Sequence, residues 1–114
     1  MQAKNGDIYA SYYVQNGGIV QFDKNLNFKK HFLFKENPTG SVNQLWNLFQ
    51  DKDGTIWAPN QAGSILILNP STGNITNYKD SVLKGNINRL VQDAQGNIWM
   101  GHWRKGLIKI DAVA

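Results

Sequence analysis

Short apolar bursts separated by polar, glycine-bearing turns run the length of this 114-residue chain, and one phrase occurs three times. The copies are Asn5-Gly6-Asp7-Ile8-Tyr9, Asp53-Gly54-Thr55-Ile56-Trp57 and Gln95-Gly96-Asn97-Ile98-Trp99. Each is followed by a glycine and an apolar strand: Gly18-Ile19-Val20-Gln21-Phe22, Gly63-Ser64-Ile65-Leu66-Ile67-Leu68 and Gly106-Leu107-Ile108-Lys109-Ile110. The aromatic position therefore recurs at roughly 40 to 50 residues, and a period of that length written in β-forming residues points to propeller blades.

The middle copy reads strand by strand, with its turn residues as punctuation. Leu45-Trp46-Asn47-Leu48-Phe49-Gln50 is a first strand, ended by Asp51-Lys52-Asp53-Gly54. An Asp-Gly pair between apolar segments signals a hairpin, because glycine takes positive φ without steric cost. Thr55-Ile56-Trp57-Ala58 is the second strand, and Pro59-Asn60-Gln61-Ala62-Gly63 the next turn. The continuous apolar run Ile65-Leu66-Ile67-Leu68 suits a strand covered on both faces by neighbouring blades. Asn69-Pro70-Ser71-Thr72-Gly73-Asn74 then reverses the chain into Ile75-Thr76-Asn77-Tyr78. Ile87, Leu90, Val91 and Asp93 stand in the third repeat where Leu45, Leu48, Phe49 and Asp51 stand in the second.

The expected fold is thus all-β, a fragment of a β-propeller with about two and a half four-stranded antiparallel blades. Residues 1–36 read as a partial blade lacking its first strand, 37–79 as a complete blade, and 80–114 as a partial blade lacking its last strand. Closed propellers use about four to eight blades. Self-association through open blade edges is expected on that ground.

Composition fits an ordered β-protein, with 41% hydrophobic residues, 11 glycines and a charged fraction of 18%. A formal charge of +4 raises the question of nucleic acid, but the lysines are spread through all three repeats. The densest basic stretch, Lys29-Lys30-His31 with Lys35, falls on an expected outer strand and reads as a solvated edge, so no nucleic-acid partner is expected. The absence of cysteine excludes disulfides and thiolate metal sites. Met1 is followed at once by Gln2-Ala3-Lys4-Asn5-Gly6, so neither a signal peptide nor a transmembrane segment is expected within these 114 residues. A membrane enters only through a longer parent protein.

Phe49-Gln50-Asp51-Lys52-Asp53-Gly54-Thr55-Ile56-Trp57 and Val91-Gln92-Asp93-Ala94-Gln95-Gly96-Asn97-Ile98-Trp99-Met100-Gly101, followed by Lys105-Gly106-Leu107, resemble the two-component regulator propeller repeat. The first copy is degenerate, with Tyr9 in the tryptophan position and Ser11-Tyr12-Tyr13-Val14-Gln15-Asn16-Gly17 as a longer segment. The resemblance implies the periplasmic sensor of a hybrid histidine kinase, as in gut Bacteroidetes, where such receptors detect glycan breakdown products. It places the kinase outside this chain. WD-type repeats fit less well, since Gly101-His102 lacks its Trp-Asp partner, and a sialidase-type aspartate box needs a different spacing from Asp51 to Gly54.

Asp51-Lys52-Asp53-Gly54-Thr55-Ile56 has the look of part of a calcium loop, yet alignment on its glycine puts Phe49 at the first ligand and Asn60 at the closing acid. A plain hairpin, with Asp51 and Asp93 capping backbone donors, accounts for it, and no metal site is expected. Tyr9, Trp57 and Trp99 recur once per blade and are expected to pack between blades. Trp46 and Trp103 are not demanded by the repeat.

In a propeller, the turn after each second strand and the link between blades open on one face. Here those segments are 11–17, 59–62 and 102–105, with links 35–44 and 79–86. They vary most between repeats, which marks the expected binding face. Its candidate ligand-binding residues are Tyr12, Tyr13, Trp46, Asn60, Gln61, His102, Trp103 and Arg104. Aromatic planes beside amide and guanidinium donors suit an oligosaccharide, and ordinary exposed loops are the competing reading. No Ser/His/Asp ordering, paired carboxylates or His-rich spacing appears, so no catalytic residue and no cofactor are expected. A protein-interaction scaffold and a streptogramin-lyase-like propeller enzyme stand as alternatives to the sensor.

Overall fold

A computed structural model describes residues 1–11, 17–35, 41–45, 47–79, 87–102 and 106–111. Among the described residues, ten strands make three antiparallel sheets. The first joins β1 (Ile8–Ser11), β2 (Ile19–Phe22) and β3 (Phe28–Phe32) in chain order. The second joins β4 (Phe49–Gln50), β5 (Ile56–Pro59), β6 (Ile65–Asn69) and β7 (Asn74–Tyr78), again in order. The third joins β8 (Ile87–Gln92), β9 (Ile98–His102) and β10 (Gly106–Ile110), with β9 in the centre. The architecture is all-β and propeller-like, with one 3-10 turn at Ser41–Asn43 among the described residues.

Two strands depart from the sequence reading for identifiable reasons. The extended strand expected over 45–50 shortens to β4, and Leu45 touches the sheet through a single bridge to Asn60. The 3-10 turn bends the chain so that Val42 and Leu45 both enter the core, at 8% and 1% exposure, a burial that a straight strand with alternating faces would deny to one of them. In the first repeat, residues 1–3 supply a stub alongside β1: Gln2 bridges Ile8, the Tyr9 N–H donates to the Met1 carbonyl at 2.8 Å, and the Ala3 N–H donates to Asp7 O at 2.8 Å.

The turns between first and second strands are built around one carboxylate. Asp51 Oδ1 accepts the N–H groups of Asp53 and Thr55 at 2.9 and 3.0 Å, while Oδ2 accepts the indole N–H of Trp57 at 2.9 Å. Asp93 repeats this with Gln95 and Asn97 at 3.0 and 2.9 Å and with Trp99 at 2.9 Å. The expected capping role is therefore observed, with the addition of the tryptophan bond. Gly54 and Gly96 close these turns at φ 89° and 90°, in the left-handed region the Asp-Gly reading requires. In the degenerate first repeat Ala3 replaces the aspartate and Tyr9 the tryptophan, so acceptor and indole donor disappear together. The turn of the basic outer strand also uses an aspartate, Asp23, with Leu26 at φ 67°, and β3 itself is exposed at Phe28, Lys29, Lys30 and His31.

Two apolar clusters hold the sheets together. Tyr9, Ile19 and Phe32 meet Ile56, Ala58, Leu66 and Leu68 between the first and second sheets. Ile65, with Trp57, Ile67 and Phe49 around it, meets Ile87, Leu90, Ile98 and Met100 between the second and third. Period-two alternation divides β6 between both clusters, which is why its run is apolar throughout. Tyr9 and Trp57 thus pack between sheets. Trp99 does not: it lies on the outer face of the third sheet, where Lys109 Nζ sits 5.5 Å from its ring centroid.

Trp57→Ala should therefore cost about 3 kcal/mol or more, and Trp99→Ala clearly less, in chemical denaturation; equal losses would contradict this packing. Acid should also weaken the third sheet. The Trp99 indole bond, aided by Asn97 and backbone donors and opposed by burial, holds the Asp93 carboxyl down to about 2. An unfolded aspartate titrates near 3.9, so the stabilisation is present above about pH 4 and lost as pH falls toward 2. Trp99→Phe should raise the Asp93 value and shrink that loss, measured by carboxyl NMR titration beside thermal melts.

Candidate functional site

At the face where β5 turns back into β6, the link 41–45 ties the first and second sheets together. The Gly18 N–H donates to Asn43 O at 2.7 Å, and the Gln61 N–H donates to Gln44 O at 2.8 Å. Asn43, 2% exposed, accepts the Phe34 N–H at 2.8 Å and returns its amide to Phe34 O at 2.9 Å. One link thereby fixes the start of β2, the end of the first sheet and the β5–β6 turn. Sequence reasoning missed Asn43, because its register position holds Gly85 in the third copy and no repeat signal marks it.

Asn60 and His102 occupy equivalent positions at the ends of β5 and β9, and both are buried. The Asn60 amide donates to Ser64 Oγ at 3.0 Å and its carbonyl oxygen accepts the Ser64 N–H at 3.0 Å, with the Ser64 hydroxyl passing on to Asn77 at 2.7 Å. These bonds close the β5–β6 hairpin and account for the burial of an amide. His102 pairs in register with Ile87 on one side and Gly106 on the other. Gln61 is exposed at the tip of its turn. Tyr12, Tyr13, Trp46, Trp103 and Arg104 lie outside the described residues.

The opposite end of the sheets carries two polar clefts, one between each pair of neighbours. One is lined by Lys4, Asp7, Gln21, Lys29, Gln50 and Asp53, the other by Asp51, Lys52, Asp53, Gln92 and Gln95. In the first, Asp7 Oδ2 accepts Lys29 Nζ at 2.9 Å and Gln21 Nε2 at 2.8 Å, and these contacts, Lys29 foremost, hold its carboxyl below the usual range. Beyond these contacts the cleft side chains are largely spent on backbone groups: Lys4, Lys52, Gln50 and Gln92 donate to the carbonyls of Lys52, Ala94, Gly54 and Gly96. Among the described residues no group of three or more His, Asp or Glu side chains is placed to hold a metal.

Comparisons with known proteins place this geometry. Residues 81–104 match the two component regulator propeller family. The extracellular domains of two hybrid two component systems from B. thetaiotaomicron superpose with TM-scores of 0.73 and 0.66, at 21% and 20% identity over 96% and 97% of the chain. Virginiamycin B lyase from Staphylococcus aureus superposes at 0.72 with 14% identity over the whole chain. The chain spans 16% and 13% of the two extracellular domains and 40% of the lyase. No curated protein matches it in sequence. The chain has the fold of a stretch of β-propeller, and its residues 81–104 match the two component regulator propeller family.

Proposed function

We propose that this chain is part of the extracytoplasmic, ligand-sensing propeller of a hybrid two-component sensor kinase, with an oligosaccharide as its ligand. The observation that carries the reading is the family match at 81–104, supported by the shared fold of extracellular sensor domains. In such a protein the propeller binds and the chemistry resides elsewhere, so the chain itself is no enzyme. Binding would be passed across the inner membrane, from the periplasm, as a change of domain geometry or dimer contact, toward carbohydrate-utilisation genes.

The ligand would meet the face laced by residues 41–45, where Gln61 is exposed, and the repeat pattern of the sequence assigns Tyr12, Tyr13, Trp46, Trp103 and Arg104 to the same face. Asn60 and His102 would shape that face from beneath, since both are buried in the turns that present it. Aromatic planes would stack on the apolar side of a sugar ring, and amide and guanidinium groups would meet its hydroxyls. The lyase of the same fold supplies the second reading, a propeller enzyme whose active site draws on blades beyond this chain.

A saccharide screen on the propeller ectodomain containing this chain separates the two: binding without turnover supports the sensor, and product formation the enzyme. Trp103→Ala combined with Arg104→Ala should weaken saccharide binding at least about tenfold, because charged donors and a stacking plane go together. The melting temperature should stay nearly unchanged. Unaltered affinity by calorimetry would move the site to another face.

A further inference from the structure

Four departures of the first repeat from the other two converge on one cleft. Tyr9 replaces the tryptophan, and Asp7 stands where the regular copies have Thr55 and Asn97. Gln21, opposite Tyr9 in register, replaces Ile67, which stands opposite Trp57. Lys29 is the extra residue of a β-bulge, since Gln21 pairs with Lys30 and Phe22 with Phe28, whereas β7, the counterpart of β3, pairs with β6 without a break. A bulge re-aims the side chain it carries, and here Lys29 Nζ reaches Asp7. All four residues line the cleft between the first and second sheets, a boundary internal to the chain.

Two of them are buried and incompletely bonded. Asn5 Nδ2, Gln21 Nε2 and Lys29 Nζ all donate to Asp7 Oδ2, at 3.3, 2.8 and 2.9 Å, and Oδ1 accepts no bond among the described residues. Tyr9 is 1% exposed with its ring in the core cluster, and its hydroxyl likewise has no partner among the described residues. In the second repeat the aromatic is satisfied, its indole donating to Asp51; Ala3, in that aspartate's place, offers the Tyr9 hydroxyl no acceptor. Burial, with the Asp7 charge after it, raises the Tyr9 pKa, so the hydroxyl stays protonated and able to donate. Buried polar atoms are normally bonded, so two left open on residues lining one cleft mark where a ligand can supply the partners.

Charge and size narrow its chemistry. Three lysines, Lys4, Lys29 and Lys52, and two aspartates, Asp7 and Asp53, line the cleft, so neither an anion nor a cation is drawn strongly. Lys4 and Lys52 direct Nζ to backbone carbonyls. What remains is a carboxylate oxygen that accepts, a phenol that donates or accepts, the spare N–H groups of Lys29, and Asn69 and Ser71 from the β6–β7 turn. Donors and acceptors mixed in this way match hydroxyls, each of which donates once and accepts twice. The cleft volume, about 380 Å³, falls at the lower end of small-molecule pockets, about 300–1,000 Å³. We propose that this cleft is a separate ligand site for a neutral polyhydroxyl solute the size of a single sugar, with Asp7 Oδ1 accepting from one hydroxyl and Tyr9 Oη and Lys29 Nζ bonding its neighbours. It lies at the opposite end of the sheets from the face proposed for the oligosaccharide and does not depend on that reading.

NMR titration of the isotope-labelled 114-residue chain with D-glucose, D-galactose and D-mannose should give saturable shifts of the Asp7, Gln21 and Lys29 amides with at least one of them, at a Kd below about 10 mM. D-glucuronate and D-glucosamine should bind more weakly. Tyr9→Phe keeps the core ring and removes only the hydroxyl, and Lys29→Gln alters an exposed side chain, so both variants should keep the dispersed spectrum of the fold. Each should weaken binding about tenfold, the loss of one hydrogen bond to the ligand. No saturable shift up to about 100 mM sugar, tighter binding of either charged sugar, or unchanged affinity in either variant would overturn the proposal. Shifts confined to Gln61 and its turn would overturn it as well, while favouring the face proposed above.

Discussion

The carboxylate six residues before the central tryptophan sets the geometry of each regular repeat. Asp51 and Asp93 gather two backbone N–H groups and one indole N–H onto a single side chain, so the turn, the start of the second strand and the ring angle are decided together. An indole held this way presents its ring edge-fixed to the adjoining sheet, and the apolar cluster around Trp57 follows from that orientation. Such turns also leave their backbone donors satisfied at the end of the sheet, where burial would otherwise be costly.

Because the hairpin end is specified so tightly, the repeat has little freedom there, and the opposite end absorbs the differences between copies. The link 41–45 shows how. It uses one buried amide, Asn43, and two backbone bonds to lock three segments whose lengths have no common template. Variation is tolerated at that face as long as such a local clamp exists, which makes it the place where a uniform scaffold can be given an individual surface.

Much of the fold was legible in the residues. Asp-Gly turns announced their left-handed glycines, and the unbroken run Ile65 to Leu68 announced a strand covered twice, because both signals are local. The 3-10 turn at Ser41–Asn43 was not legible, since it arises from Val42 and Leu45 seeking one core together. The stub at residues 1–3 escaped for a similar reason: its bridge is made by backbone atoms, and Met1-Gln2-Ala3 has no strand signature. At the candidate site, Asn60 was recognised as a polar residue in a turn, but its bonds to Ser64 depend on a register that only pairing reveals. Equally, Trp99 and Trp57 look alike in sequence and differ in the structure by whether a sheet lies over them.

The joint replacement of aspartate and tryptophan in the first repeat, by Ala3 and Tyr9, bears on how such arrays drift. Exchanging the tryptophan for tyrosine first keeps a ring between the sheets and leaves an aspartate that still caps its turn, the milder change. Losing the aspartate first strands an indole N–H and two backbone donors at once, which is severe. The two orders of substitution are therefore unequal, and a lineage would cross by way of the aromatic. Degenerate repeats with an aspartate and no tryptophan are then the natural intermediates, while the reverse combination is a barrier, so the mutational history of a blade acquires a direction from one hydrogen bond.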